Sequence, residues 1–356
     1  MKVRAADVPV RRPVVAKVGS FPKWAFICVD VETAGGIVGR GYVAPYLIDF
    51  CPAISSAIET LAGRFKGREI APATFFDEGM KAISLLGQSG IALYALAALD
   101  IAFWDAHAKA ADKPLAEHLG GSLAPVPAYN SNGLWLGTRE GLDVEAAALA
   151  AEGGFTAMKV RLGRDSLAED LAAITAVRQG AGAGITLLSD FNQGMTFDFA
   201  KERLAGLDEA GLGWFEEPIA YHELDNCAEL TRRLKTPVIL GENFHGPRDL
   251  KEALARRACD LVMPDLMRIG GVTGWLRAAA LAEAWGAGIS SHLFPEVSAH
   301  LLRVSPTAQW LEWTDWANPL LKEPFEVKAG ALVIPKRPGN GIDWDEKALA
   351  RFAPDF

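Results

Sequence analysis

Between residues 125 and 313 short apolar runs alternate with longer amphipathic ones, and nearly every short run closes on a polar residue. The short runs are PVPAYNS, AMKVRLG, LLSDFNQ, GWFEEP, VILGENF, LVMPDLM, GISSHLF and QWLEW. Each is too short for a helix and is bounded by turn-forming residues, so each reads as a buried strand. Between them SLAEDLAAITAVRQGAG, FDFAKERLAGLDEAG and LDNCAELTRRLK carry apolar residues at three- and four-residue spacing. They end in glycine or a basic residue, the pattern of amphipathic helices. Asp190, Glu216 and Glu242 stand 26 residues apart, about one strand, one helix and two short loops. From Lys159 through Asp190, Glu216, Glu242, Asp265 and His292 to Glu312 the gaps are 31, 26, 26, 23, 27 and 20 residues. Eight strands at this repeat predict an α/β chain closed into a parallel barrel, with the polar residues gathered on the rim of strand C-termini.

The flanks follow other rules. WAFICVDVET, a turn at Gly35–Gly36 and IVGRGYV make a hairpin pattern within a strand-rich stretch of residues 1–50. Residues 51–118 read as helices, and IALYALAALDIAFWDAHAKA is apolar on all sides, as a buried helix is. Its Asp100, Asp105 and His107 are expected to serve packing, and PLAEHLGG closes the segment with a glycine pair suited to a helix end. An α+β module of about 120 residues thus precedes the barrel. Beyond Glu312 the helical period is lost; KEPFEVKAGALVIPKRPGNGIDW reads as extended segments and turns, expected to pack on the first module. IGGVTGW carries neither GxxxxGK nor GxGxxG and is read as a tight βα turn in preference to a phosphate cradle.

A single Asp or Glu at a strand end can simply cap the next helix. A set in phase across the barrel points to a site. Asp190, Glu216 and Glu242, with no cysteine or histidine among them, are hard oxygen ligands suited to Mg²⁺. A cation there can hold a substrate carboxylate and stabilise the dianionic enolate formed when the neighbouring proton is removed. His292 is the candidate base, Asp265 on the adjacent strand the group that orients its imidazole. Lys159 can add positive charge at the carboxylate, and a protonated Glu312 a hydrogen bond. His222 and His245 fall in loops and are poor bases; His300 lies on a helix and is expected to be structural.

Composition narrows the class without naming the reaction. The formal charge is −8 and no basic stripe is present, which argues against nucleic acid as partner. Half of the 356 residues are hydrophobic and 22% are charged, enough for a large core. Four cysteines without CxxC spacing read as buried thiols of a reducing compartment. With neither a signal-type apolar segment at the start nor an uninterrupted 18-residue apolar run, the expectation is a cytoplasmic chain with no membrane partner.

WFEEP, GENFHGP, MPDLMRIGGVTGW, SSHLFPEVSAHLL and PTAQWLE carry a family likeness: the chain resembles the enolase superfamily, and within it the mandelate racemase group. The resemblance runs from PVVAKVGS near the start to ALVIPKRPGNGIDW near the end. It implies a TIM-like (β/α)₇β barrel over residues 123–318, an N-terminal α+β capping domain over 1–122, and a C-terminal segment, 319–356, packing back on the cap. It implies Mg²⁺ held by Asp190, Glu216 and Glu242, a His292–Asp265 dyad, Glu312 as donor to the enolate, and Lys159 at the substrate carboxylate. Asn192 and Ser131 match polar residues lining that family's site, and Val14, Phe21 and Tyr46 fall where the cap covers the substrate. A homo-oligomer is the expected assembly.

One position departs from the family pattern. Where a second lysine base is usual, this chain reads Lys159-Val160-Arg161. Arginine, with an ordinary pKa above about 12, is a poor neutral base. The reaction implied is Mg²⁺-dependent α-proton abstraction from a 2-hydroxycarboxylate, as in a racemase or epimerase. The alternatives are an acid-sugar or hydroxy-acid dehydratase using His292 as its single acid/base, and a non-catalytic carboxylate-binding barrel. The flap residues Val14, Val15, Val18, Phe21 and Trp24 are apolar, a poor match for a polyhydroxy acid.

Overall fold

The computed structural model describes residues 1–137 and 140–356. A long antiparallel hairpin opens the chain, β1 (Lys2–Ala16) on β2 (Gly19–Glu32), followed by β3 (Val38–Val43) on the other edge of β2. The β1–β2 register breaks between Pro9 and Val14 and resumes with Val14 opposite Phe21, so the hairpin tip is set off from the rest. Helices α1 (Cys51–Gly63), α2 (Pro72–Ala82), α3 (Gly90–Ala110) and the short α4 (Leu115–His118) cover this sheet. The 21-residue α3 is long and apolar enough to cross a membrane, yet 72% of its most apolar window is buried inside the fold. It lies close on β3 because that strand offers glycines: a Cβ at Gly39 would sit 2.1 Å from the Ala102 carbonyl, and one at Gly41 2.9 Å from Ile101.

The barrel strands follow at the predicted rhythm: β4 (Val126–Asn130), β5 (Ala157–Arg161), β6 (Thr186–Asp190), β7 (Phe215–Glu216), β8 (Val238–Leu240), β9 (Leu261–Val262), β10 (Gly288–Ile289) and β11 (Leu311–Trp313). All pair in parallel with their sequence neighbours from β4 to β10, and β11 returns to pair with β4. The ring closes between β10 and β11 through an Ile289–Ala308 bridge. Between successive strands run α5 (Leu142–Ala151), α6 (Leu167–Ala181), α7 (Phe197–Leu207), α8 (Leu224–Arg233), α9 (Gly246–Ala255), α10 (Gly271–Trp285) and α11 (Pro295–Leu302). Among the described residues this is a (β/α)₇β barrel. Its interior beneath the rim is filled by Tyr129, Ala157, Leu188, Trp214, Ile239 and Met263, large side chains set against small ones.

The IGGVTGW turn is a packing device. Gly270 and Gly271 have φ of 97° and 80°, and a Cβ on Gly271 would meet Asp100 at 2.7 Å. Asp100 of α3 reaches into the start of α10, accepting from Thr273 N at 2.8 Å and from Thr273 Oγ1 at 2.7 Å. A buried carboxylate therefore already takes the anion position at that helix N-terminus. Asp105 is likewise structural, accepting from the Arg40 and Asn340 amides and from Lys109. His107 meets His118 at the surface, 2.7 Å between ring nitrogens.

The C-terminal tail divides. β12 (Glu326–Lys328) and β13 (Ala331–Val333) form a hairpin that joins β4 antiparallel, Leu332 opposite Val126, at the end of the barrel away from the rim. Residues 339–352, with α12 (Glu346–Arg351), lie against the N-terminal sheet through Asn340 N to Asp105, Trp344 Nε1 to Asp30 and Asp7 N to the Phe352 carbonyl. All four cysteines are free and buried.

Candidate active site

Period-two alternation turns Lys159 and Arg161 to the same side of β5, and strand register sets Arg161 beside Asp190 and Asp190 beside Glu216. Asp190, Glu216 and Glu242 converge, each offering a carboxylate oxygen, all within 4.8 Å of one another. Asn192, in a left-handed conformation just past the strand, pins Asp190 by its amide at 2.8 Å and its side chain at 3.0 Å. Asn243 bridges Glu242 and Glu217, at 3.2 and 2.7 Å.

Charge at this floor is unbalanced without a cation. Burial and the Asp190 carboxylate push the Glu216 carboxyl well above its usual range, against the pull of Lys159. Burial and Glu242 do the same to Glu217. Among the described residues the buried Glu216 Oε2 has no hydrogen-bond partner. An orphaned carboxylate oxygen among three convergent acids, with no soft ligand, fits Mg²⁺. Lys159 meets part of the deficit, its Nζ 2.9 Å from Glu216, 2.8 Å from Glu312 and 3.3 Å from Asp190. Burial opposes its charge, yet Glu216 and Glu312 hold its pKa well above the usual value.

The dyad forms across the loops after β9 and β10. His292 Nδ1 lies 2.8 Å from Asp265 Oδ2, while Asp265 Oδ1 accepts the amides of Met267 and Arg268 at 2.9 and 3.0 Å. Asp265 can only accept, so Nδ1 carries the proton and Nε2 is left toward the cavity, 3.3 Å from Glu242. Burial would lower the His292 pKa, but Glu242 and the Asp265 bond outweigh it and raise it.

Glu312 differs from the expectation of a protonated donor. Burial disfavours its charge, but Lys159 and His292 hold its carboxyl far below the usual range. It accepts from Ser131 Oγ at 2.7 Å and from the Leu293 amide at 2.8 Å, so it stands here as a carboxylate.

Above the floor lies a cavity of about 410 Å³. The barrel rim contributes Lys159, Arg161, Asp190, Asn192, Gln193, Glu242, Asn243, Arg268, His292 and Glu312 with Leu293 and Trp316, and the cap contributes the mostly apolar Val14, Ala16, Val18, Phe21, Trp24, Tyr46 and Leu47 with Ser20. Ser131, Glu216 and Asp265 stand behind the lining and act through Glu312, Lys159 and His292. His222 and His245 do not line the cavity. His300 is buried, accepting the Ala116 amide at Nδ1, as a structural histidine does.

Sequence reasoning missed Gln193, Asn243, Arg268, Trp316 and Trp135. Gln193 and Asn243 directly follow rim residues, and Arg268 comes three after Asp265, so proximity to strand ends was the available signal. Arg268 donates to the Glu242 carbonyl at 2.7 Å and lies over the Tyr46 ring at 4.9 Å. Burial opposes its charge, but Tyr46 and Asp265 raise its pKa further.

Residues 142–348 match the enolase C-terminal domain-like family model, and residues 1–120 that of the mandelate racemase/muconate lactonizing enzyme N-terminal domain. The structure is similar to that of an enolase from the alpha proteobacterium bal199 with bound magnesium: 44% identity, 99% of this chain and 98% of that one, TM-score 0.97. It is also similar to a Bradyrhizobium enolase complexed with magnesium and mandelic acid, 37% identical over 99% and 97% of the two chains, TM-score 0.94. The L-talarate/galactarate dehydratase of Salmonella typhimurium is 34% identical over 263 residues, 74% of this chain and 66% of the dehydratase.

Proposed function

Because the chain belongs to the enolase superfamily, in its mandelate racemase/muconate lactonizing enzyme family, and is thus a Mg²⁺-dependent enzyme, we propose that it abstracts the α-proton of a 2-hydroxycarboxylate bearing an apolar group, as a racemase or epimerase. Asp190, Glu216 and Glu242 would hold the cation, which when bound supplies positive charge to the substrate's carboxylate. Lys159 adds its fixed charge from the neighbouring strand. His292 Nε2 takes the α-proton, and the Nδ1–H bond to Asp265 fixes the ring and stabilises the imidazolium that forms. Arg161 enters from β5, the second strand of the barrel, across the cavity from His292 after the seventh. It is the group placed to serve the second face, its guanidinium giving a proton to the α-carbon there and, in the reverse direction, taking one back as neutral guanidine. Glu312, as a carboxylate, stabilises the protonated His292 and positions Ser131.

The observation that carries this reading is the mostly apolar contribution of the cap to the lining. A carboxylate and hydroxyl find partners among the rim residues, while Val14, Phe21 and Trp24 of the cap, with Leu293 and Trp316, offer apolar surface to the remainder of the substrate. A polyhydroxy acid would set hydroxyls against those apolar side chains, where they find fewer partners. The Bradyrhizobium neighbour's mandelic acid has the favoured chemistry. Arg161 supports a second reading, a dehydratase with His292 as its single acid/base, the activity carried in the Salmonella relative's name. Incubating (R)- and (S)-mandelate and a panel of hydroxy acids with the Mg²⁺-loaded enzyme in D₂O separates them. Exchange with racemisation supports the first reading; exchange with retention, or loss of water to a 2-keto acid, supports the second.

A further inference from the structure

We propose that Trp135 is a positioning residue, its indole face holding the Arg161 guanidinium while its loop ties that placement to the hairpin covering the cavity. The inference rests on Arg161 serving the second face of the substrate.

Arg161 is 6% exposed, and its backbone amide, guanidinium hydrogen bonds and ring contact all go to one stretch of chain, residues 131–135 after β4. Its amide donates to the Leu134 carbonyl at 3.1 Å, Nη2 donates to Ser131 Oγ at 3.1 Å, and Nη1 lies 3.5 Å from the Ser131 carbonyl. The last of these is at the weak limit of hydrogen bonding. Among the described residues Nε has no hydrogen-bond partner, and it stands 3.7 Å from Asp190 Oδ2. Hydrogen bonds therefore leave the plane of the guanidinium loosely held. The buried indole of Trp135 lies under it, Cζ 4.2 Å from the ring, and supplies the missing restraint. A planar cation over a planar ring is fixed in a way an ammonium is not. The pairing thus suits arginine at this position and would serve lysine poorly. Leu134, the residue before, holds φ at 56°, a conformation unusual for leucine that turns the chain under the strand end.

The next residue links to the cap. The Leu136 amide donates to the Val15 carbonyl at 3.1 Å, and a Cβ on Gly137 would touch Val15 at 3.3 Å. Val15 lies in the hairpin beside Val14, whose side chain lines the cavity. Ion pairs from Arg11 and Arg12 to Glu152, at 2.7 and 2.5 Å, anchor the same hairpin to the barrel. From Val15 through Leu136 and Trp135 to Arg161, Ser131 and Glu312 the contacts are continuous. Contiguity alone does not demonstrate coupling, so the test is a double-mutant cycle.

Trp135→Leu, Trp135→Phe, Arg161→Lys, Arg161→Met and Trp135→Leu/Arg161→Lys are assayed for exchange of (R)- and (S)-mandelate in D₂O and for Mg²⁺ affinity by calorimetry. Trp135→Leu is expected to slow exchange about tenfold for the enantiomer whose proton faces Arg161. The other enantiomer and Mg²⁺ affinity should stay within about threefold, and Trp135→Phe should lose less than Trp135→Leu. In the Arg161→Lys background, Trp135→Leu should add little. Equal slowing of both enantiomers, or fully additive losses, would overturn the proposal. If Arg161→Met leaves both enantiomers unaffected, the reading of Arg161 itself fails. If Arg161→Met is selective while Trp135→Leu is silent, only the positioning role fails.

Discussion

Replacing Glu296 by glutamine tests how the cap is fastened to the segment carrying His292. Glu296 is fully buried near the start of α11, four residues after His292. Its Oε2 accepts from Tyr42 Oη of β3 at 2.5 Å, while Oε1 has no partner among the described residues. Tyr42 also packs on Phe294, ring centroids 5.0 Å apart, where Leu293 and Phe294 are both left-handed. Burial pushes the Glu296 carboxyl up to about 7 from 4.5, against the pull of the Tyr42 bond. At about 1.4 kcal/mol per tenfold, its anion is disfavoured in the folded chain by roughly 3 kcal/mol. The folded value is raised, so the stability linked to the proton is fully present below about pH 4.5 and is lost as pH rises through 7. Glutamine does not titrate. The stability of Glu296→Gln minus that of wild type should therefore rise by roughly 3 kcal/mol between pH 4.5 and 8. Urea unfolding at a series of pH values with saturating Mg²⁺ measures it, and titrations common to both proteins, including Asp100, cancel in the difference. A difference that stays flat from pH 5 to 8.5, or falls, would refute the reasoning.

Asp190→Asn and Glu242→Gln should each weaken Mg²⁺ binding by at least about 100-fold by calorimetry, since removing a ligand exceeds the cost of disturbing its support; full affinity in either variant would remove that residue from the metal site. His292→Asn should abolish α-proton exchange on one face of the substrate while leaving the circular dichroism spectrum and Mg²⁺ affinity unchanged, and an unaltered rate would move the base elsewhere. Asp100→Ala strips the cap from α10 and leaves Thr273 unsatisfied in the core, an expected loss of about 2 to 4 kcal/mol. Urea unfolding reads it, and a loss below about 0.5 kcal/mol would show that the glycine turn holds without Asp100.

The rim was legible because a barrel repeats. A strand buried on all sides must be apolar until its end, so a polar residue closing each run marks both the boundary and the direction of the site. Lys159, Asp190, Glu242, His292 and Glu312 meet in one cavity for that reason, although β7 and β9 contain only two residues each and show no period of their own. Residues acting from loops were less visible. Trp135 looks in sequence like any core aromatic, and only its position under Arg161 makes it distinctive. The state of Glu312 was hidden for another reason: it depends on Lys159, 153 positions earlier in the chain. The tail hairpin joins β4 through backbone pairing, which side-chain pattern does not encode.

The substitution at position 161 also makes sense as a matter of charge. Asp190, Glu216, Glu242, Asp265 and Glu312 crowd one floor, and a substrate would add another carboxylate. Against them stand Lys159 and Arg161, with His292 cationic only after it takes a proton and Arg268 committed to Glu242 and Tyr46. A lysine that must be neutral to act as a base withdraws a positive charge just when the substrate brings a negative one. Arginine gives up its proton less readily than lysine, so it holds positive charge until the second-face transfer, and Trp135 offers that charge a ring face needing no further carboxylate. If the proposed reaction holds, the arrangement favours the grip on the substrate's oxygens at the cost of slower proton transfer on the second face, so His292-side exchange should outpace racemisation.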